Sequence, residues 1–142
     1  MTVDRESLLQ IGEVTDRVGL SLRTVRYYEE VGLVAPSART EGGFRLYSEA
    51  DVRRLHLIKS MKAFDLKLEE MGALLEVLDR SAVAETLEGS ELDRVEAALG
   101  AYVAQAARLL EKRRRELDDA EALRTLMLER ISGCEAARKG SK

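Results

Sequence analysis

The apolar positions of this chain fall into short stripes of helical period broken by glycines, followed by one long stripe. Ile11, Val14 and Val18 recur at spacings of three and four, which predicts a helix burying one face, and Gly19 stops it. Ser21 is placed to cap a second helix that runs to about Val31 and ends at Gly32. Two short helices joined by a tight glycine-containing turn predict a helix-turn-helix over residues 11–32. After Pro36 come two short extended pieces, Ala38–Thr40 and Phe44–Leu46, on either side of Gly42-Gly43. They predict a β-hairpin over residues 37–47, which after a helix-turn-helix is a wing. Ser48 with Asp51 three residues on forms a capping box for a third helix over 48–63, with Val52, Leu55, Ile58 and Met61 as its core stripe. Leu68, Met71, Leu75 and Leu78 repeat the pattern in a fourth helix over 68–79, and residues 80–90 read as a connector.

The long stripe occupies residues 91–131, a stretch with no proline and only Gly100 as an interior weak point. Leu92, Val95, Leu99, Tyr102, Ala106 and Leu109 keep a strict 3,4 spacing. The seam then slips and continues through Arg113, Leu117, Ala120, Leu123 and Met127. At ~1.5 Å per residue this helix spans roughly 60 Å, too far to bury its stripe on a small head. The economical partner is a second copy, so Leu92, Val95, Leu99, Tyr102, Ala106, Leu109, Leu117 and Leu123 are the expected dimer interface. The tail, 132–142, is expected to be flexible. The expected architecture is mainly α: a head over 1–79, the connector, a dimerisation helix and the tail.

Composition adds bounds to that picture. Two Phe, four Tyr and no Trp leave little bulk for a wide core. A single Pro and 35% charged residues of mixed sign argue against disorder. No apolar run approaches the ~18–20 residues of a membrane span, and the N-terminus lacks the pattern of a signal peptide. One cysteine cannot close an internal disulfide, so the expected location is the cytoplasm. A net charge of −3 would not suggest nucleic acid, but it hides an asymmetry. Residues 1–67 carry 11 basic and 10 acidic side chains, and residues 68–142 carry 12 and 16. The basic residues of the first half are mostly arginine and lie near turns and aromatics.

Ile11-Gly12-Glu13-Val14, Arg23-Thr24-Val25-Arg26-Tyr27-Tyr28-Glu29 and Gly32-Leu33 together resemble the MerR family of bacterial transcription regulators. So do Arg39-Thr40-Glu41-Gly42-Gly43-Phe44-Arg45-Leu46-Tyr47, Asp51-Val52 and Leu68-Glu69-Glu70-Met71. The resemblance covers about residues 10–75, in family order and spacing. It implies a winged helix-turn-helix head and an antiparallel coiled-coil homodimer. It also implies binding to a palindromic operator in double-stranded promoter DNA, which is bent and untwisted so that RNA polymerase engages both promoter elements. Two departures lie before the fourth helix, where the family carries Gly and then Ser or Thr and this chain has Asp65 and Lys67. Asp tolerates a left-handed backbone, but Lys67 cannot accept amide bonds, so a frayed or re-angled helix start is expected.

The residues expected at the DNA are Ser21, Arg23, Thr24, Arg26, Tyr27 and Tyr28 on the helix-turn-helix, Arg39, Gly43, Arg45 and Tyr47 on the wing, and Lys62 beyond it. Arg23, Thr24 and Tyr27 share a helix face, and Arg23 can read a guanine edge through two hydrogen bonds. Arg26 can equally clamp Glu29 or Glu30. Tyrosine hydroxyls can bond phosphate, although for Tyr28 a core role is as good a reading. By resemblance the wing lies against phosphate or in the minor groove. Phe44 itself reads as a packing residue that anchors the hairpin on the head. Lys59 and Lys62 can add phosphate contacts or simply be solvated.

No catalytic constellation is visible, and no cofactor is expected. A tetrahedral zinc site wants four Cys or His ligands, which Cys134 and His56 cannot supply, so no metal is expected. Cys134 stands where family sensors carry thiolates, and a redox thiol there is the sharper alternative to an incidental cysteine. A small-molecule effector is compatible with the chain but unidentified. Two other functions stay open: an effector-independent repressor or architectural DNA binder, and a coiled-coil protein-interaction adaptor.

Overall fold

A computed structural model describes residues 7–141 of the chain. The first six residues of the expected head, and residue 142 of the expected tail, lie outside the described residues. The elements run β1 (Leu9–Gln10), α1 (Ile11–Val18), α2 (Leu22–Glu30), β2 (Ala38–Arg39), β3 (Arg45–Tyr47), α3 (Glu49–Met61), α4 (Leu68–Ser81) and α5 (Gly89–Gly140). The chain divides into two compact units, Met1–Val95 and Glu96–Lys142.

Several helix ends of the first unit have a local chemical cause. Gly19 takes the left-handed conformation after α1, at φ 74°, and its N–H returns to the Thr15 carbonyl at 2.8 Å. Ser21 caps α2 by accepting the Thr24 N–H at 3.1 Å. Ser48 and Asp51 form the expected capping box, at 3.2 and 2.9 Å. The third helix ends at Met61 and tightens into a 3₁₀ turn over Lys62–Phe64, closed by Asp65 at φ 53°. The expected weakness at Lys67 is met from further along the helix: the Glu70 carboxylate accepts the Lys67 N–H at 3.3 Å. One half of a capping box is therefore present, even though the residue in the capping position has no acceptor of its own.

The core comes from Val14 and Val18 of α1, Val25 and Tyr28 of α2, Leu33 and Val34 of the following loop, and Tyr47 of β3. Val52, Leu55, Ile58 and Met61 of α3 and Met71 and Leu75 of α4 complete it. Burial of that many Val, Leu, Ile and Met side chains, each worth about 1.5–3 kcal/mol, stabilises the unit. The sheet has three strands rather than the two of a lone hairpin. β3 lies in the middle and pairs antiparallel with β2 and with β1, where Leu9 faces Tyr47 and Gln10 faces Leu46. Two residues are too few to show a period, so β1 left no pattern in the sequence.

Two basic side chains of α3 tie the elements together. Lys59 Nζ donates to the Val18 carbonyl at 2.8 Å, placing an ammonium at the C-terminal, negative end of α1. It therefore serves the fold, in contrast to the solvated or phosphate-bound lysine expected. Arg54 Nε donates to the Leu33 carbonyl at 2.7 Å while its Nη1 reaches Asp79 of α4 at 3.0 and 3.1 Å.

The fifth helix begins at Gly89, preceded by a short 3₁₀ turn over Ala84–Thr86, and continues without a break to Gly140. Ser132-Gly133-Cys134 are thus helical, and residues 132–140 are not the loose tail expected. The good helix formers Glu135, Ala136, Ala137, Arg138 and Lys139 carry the helix past Gly133. Its 52 residues extend about 78 Å at 1.5 Å each.

Candidate nucleic-acid interface

The second helix of the helix-turn-helix sorts its side chains by period. Val25 and Tyr28 enter the core, so Arg23, Arg26, Tyr27 and Glu30 are left on the opposite, exposed side, around one shallow depression. Thr24, expected on the same face as Arg23 and Tyr27, is half-buried. Its hydroxyl bonds that of Ser21 at 2.8 Å. Ser21 and Thr24 therefore complete the start of the helix, which orients Arg23 one residue away. Arg26 joins no ion pair among the described residues. Of the two acids offered for the clamp reading of Arg26, Glu29 turns instead toward the wing.

The wing is built around that acid. Arg39 and Arg45 face each other across the β2–β3 pair. Like charges directly opposite one another destabilise such a pair. The Glu29 carboxylate, its side chain 16% exposed, accepts from Arg39 Nη2 at 2.8 Å through one oxygen and from Arg45 Nε through the other. Arg39 Nη1 also donates to the Gly43 carbonyl at 3.1 Å. At the tip the Gly43 N–H closes a turn onto the Thr40 carbonyl at 2.9 Å, and the Thr40 hydroxyl accepts the Phe44 N–H at 3.1 Å. Gly43 sits at φ 84°, which a residue with a Cβ adopts only under strain.

The family model for MerR helix-turn-helix regulatory proteins matches residues 9–78, the span from β1 into α4. The mercuric resistance operon regulatory protein of Bacillus cereus is 46% identical over 71 residues, which are 50% of this chain and 54% of that protein. A ZntR-homolog transcriptional regulator of Haemophilus influenzae is 37% identical over 73 residues, 51% of this chain and 54% of its own length. A transcription regulator from Ralstonia metallidurans CH34, solved in complex with lead(II), is 36% identical with a TM-score of 0.50. That likeness covers 78% of this chain and 84% of the solved one. This chain belongs to the MerR family. The matched part spans about half the length of each of the two sequence relatives.

Within this MerR-family head, two expected positions, Phe44 and Tyr47, differ from their sequence reading, and Tyr28 takes the core alternative of its two. Phe44 does not anchor the hairpin: it is 72% exposed at the wing tip, its ring beside Gly42. Strand alternation explains it, because Arg45 and Tyr47 take the inward face of β3 and leave Phe44 on the other. Tyr47, expected at the DNA, is fully buried, and its hydroxyl has no hydrogen-bond partner among the described residues. Burial, with the nearby Glu29 charge second, raises its phenol above the usual 10.0. Tyr28 is also core, at 5% exposure, with the Lys62 ammonium 6.0 Å from its ring centre and the Tyr27 ring at 5.9 Å. Lys62 itself is exposed. What the sequence pattern missed was the Glu29 bridge. Its only trace was one acid on α2 and two arginines in register on the hairpin, and the pairing spans ten and sixteen residues.

On α5 the expected interface residues are unequally available. Leu92, Leu117 and Leu123 are exposed, and Leu99, Tyr102, Ala106 and Leu109 are half-buried. Val95 is only 7% exposed in the single chain and has little surface left to offer a partner. Val103, Leu110, Leu126, Met127, Leu128 and Ile131 extend the exposed apolar surface beyond the residues expected. Cys134 is a free, exposed thiol on the same helix. Among the described residues no three His, Cys, Asp or Glu side chains are grouped to hold a metal ion, and no helix is long and apolar enough to cross a membrane.

Proposed function

We propose that the protein is a sequence-specific transcription regulator of the MerR type, a homodimer on a palindromic promoter operator whose distortion of the DNA controls RNA polymerase. One observation carries the reading. The exposed face of α2 presents Arg23, Arg26 and Tyr27 on the same compact head as a wing bearing two guanidiniums and a glycine tip. In this reading α2 enters the major groove, roughly 12 Å wide, and Arg23 reads a base edge. Arg26 and Tyr27 bond phosphate, and the wing runs along the backbone, where close approach needs Gly43. Ser21 and Thr24 support this surface at the start of α2, and Tyr47 supports it from the core. The exposed leucines of α5 pair with those of a second copy in an antiparallel coiled coil, giving the two-fold symmetry a palindrome requires. The relatives are transcription regulators, and the proposed role here is likewise regulation in the cytoplasm and not catalysis.

The lead(II) complex of the Ralstonia relative raises the question of a metal. The donors of this chain do not fit a thiolate site, since its one cysteine stands alone on an unbroken helix turn. That favours, as the second reading, a regulator that bends DNA without a metal effector.

The test is binding over a salt series, with an operator selected from a pool of random duplexes compared against unselected duplex. Tight, palindrome-dependent binding with a steep salt slope is expected. Binding that ignores sequence would assign an architectural role, and salt-insensitive absence of DNA binding would make the protein a coiled-coil adaptor.

A further inference from the structure

The wing arginines are the obvious phosphate contacts of this head, yet both are already bonded to one carboxylate. Glu29 is the seventh residue after the first of α2, on the turn that also delivers Tyr28 to the core, so its backbone is fixed by the packing of that ring. Its two oxygens take one arginine from each wing strand. The three side chains form a cluster of net charge +1 where the wing alone would carry +2. The bridge leaves most of each fork of guanidinium donors unused, with Arg39 48% and Arg45 28% exposed, so both can still reach an anion.

From this geometry we infer that Glu29 is the positioning residue of the DNA-binding head, resting on the DNA-binding reading above. It does two things with one carboxylate. It offsets the repulsion between Arg39 and Arg45, which holds the wing strands in register. It also locks the wing to the recognition helix, so that the phosphate-contacting arginines and the base-reading Arg23 move as one body. A rigid link of this kind makes a backbone contact conditional on groove register, which converts a sequence-blind attraction into discrimination. It also withholds one positive charge from non-specific DNA. A wing without Glu29 is accordingly a stronger but less selective polyanion binder.

Glu29→Gln tests this with two readouts on the full-length protein, after far-UV circular dichroism shows it folded. Against unselected duplex, the slope of log K against log salt should steepen by about one, because one more cation is free to displace counterions. The ratio of selected-operator to unselected affinity should fall about tenfold, the scale of one misplaced groove contact. Glu49→Gln is the control. It removes the same charge from an exposed pair with Arg17 that takes no part in the Glu29 bridge. It should leave both readouts at wild-type values. Glu29→Gln combined with Arg39→Gln returns the cluster to +1 and should restore the slope but not the ratio. Should Glu29→Gln fail to fold, Glu29→Asp, one methylene short of the bridge, replaces it with a lowered ratio at unchanged slope. An unaltered ratio in the folded variant overturns the inference, as does a slope change that Glu49→Gln reproduces. Wild-type protein that binds no duplex at all overturns the DNA-binding reading, and this assignment with it.

Discussion

At the scale of single residues, burial and not residue type decides which aromatic and basic side chains face solvent. Tyr27 and Tyr28 are neighbours in the chain with nearly opposite exposures, 47% and 5%, because 100° of helix rotation separates them. Tyr47 shows the cost of a polar tip in the core, as a buried hydroxyl without a partner is unfavourable by roughly 1–3 kcal/mol. Tyr47→Phe is therefore expected to leave stability unchanged or raise it by about 1 kcal/mol, read as the midpoint of chemical unfolding. The sign of the pH effect follows from the same burial. The folded phenol titrates above 10.0, so the unfolded chain loses the proton first. Stability is full below that value and falls as pH rises through the folded one. The Phe variant should lack this alkaline component, and an identical alkaline profile in both proteins would remove Tyr47 as its source. For the exposed Arg23, replacement by Ala should weaken operator binding by about 1–3 kcal/mol and relax discrimination at one base pair. A loss that is uniform over all sequences would make it a phosphate contact.

At the scale of elements, what could be read in the chain was what has a period or a local partner. The stripe Val52, Leu55, Ile58 and Met61, the Ser48–Asp51 box and the left-handed stop at Gly19 all lie within a few residues of their cause. Contacts between distant segments left no such trace. Strand β1, the Arg54 link from Leu33 to Asp79, the Glu29 bridge and the Lys59 bond to Val18 each join positions that only the folded chain brings together. The Lys59 bond is testable at this scale. Lys59→Met keeps the aliphatic stem and removes the donor from the end of α1, beside Gly19, whose missing Cβ would stand 2.8 Å from Nζ. A destabilisation of about 1 kcal/mol is expected in the thermal midpoint, shrinking at high salt. No change at low salt would mean that water serves the Val18 carbonyl as well as the ammonium does.

At the scale of the whole molecule, the long helix leaves an apolar stripe that the proposed dimer would cover. Leu110, Leu117, Leu123, Met127 and Ile131 are between 51% and 58% exposed. A run of apolar side chains that long is an interface in waiting, since a soluble chain rarely leaves such a patch uncovered. Among the expected seam positions Leu117 is the most informative to change. It is exposed in the single chain, so a substitution there alters pairing and not the fold of the protomer. In a two-fold dimer one substitution is felt twice, and burying each leucine is worth about 1.5–3 kcal/mol. Leu117→Asp should therefore raise the dimer dissociation constant at least about a hundredfold, seen as a shift to monomer in sedimentation velocity at unchanged helicity. Operator affinity should collapse with it, because one head then meets one half-site, while Arg23→Ala should weaken DNA binding with the dimer intact. If Leu117→Asp stays dimeric, the seam runs along another face of α5 and the register of the coiled coil must be redrawn.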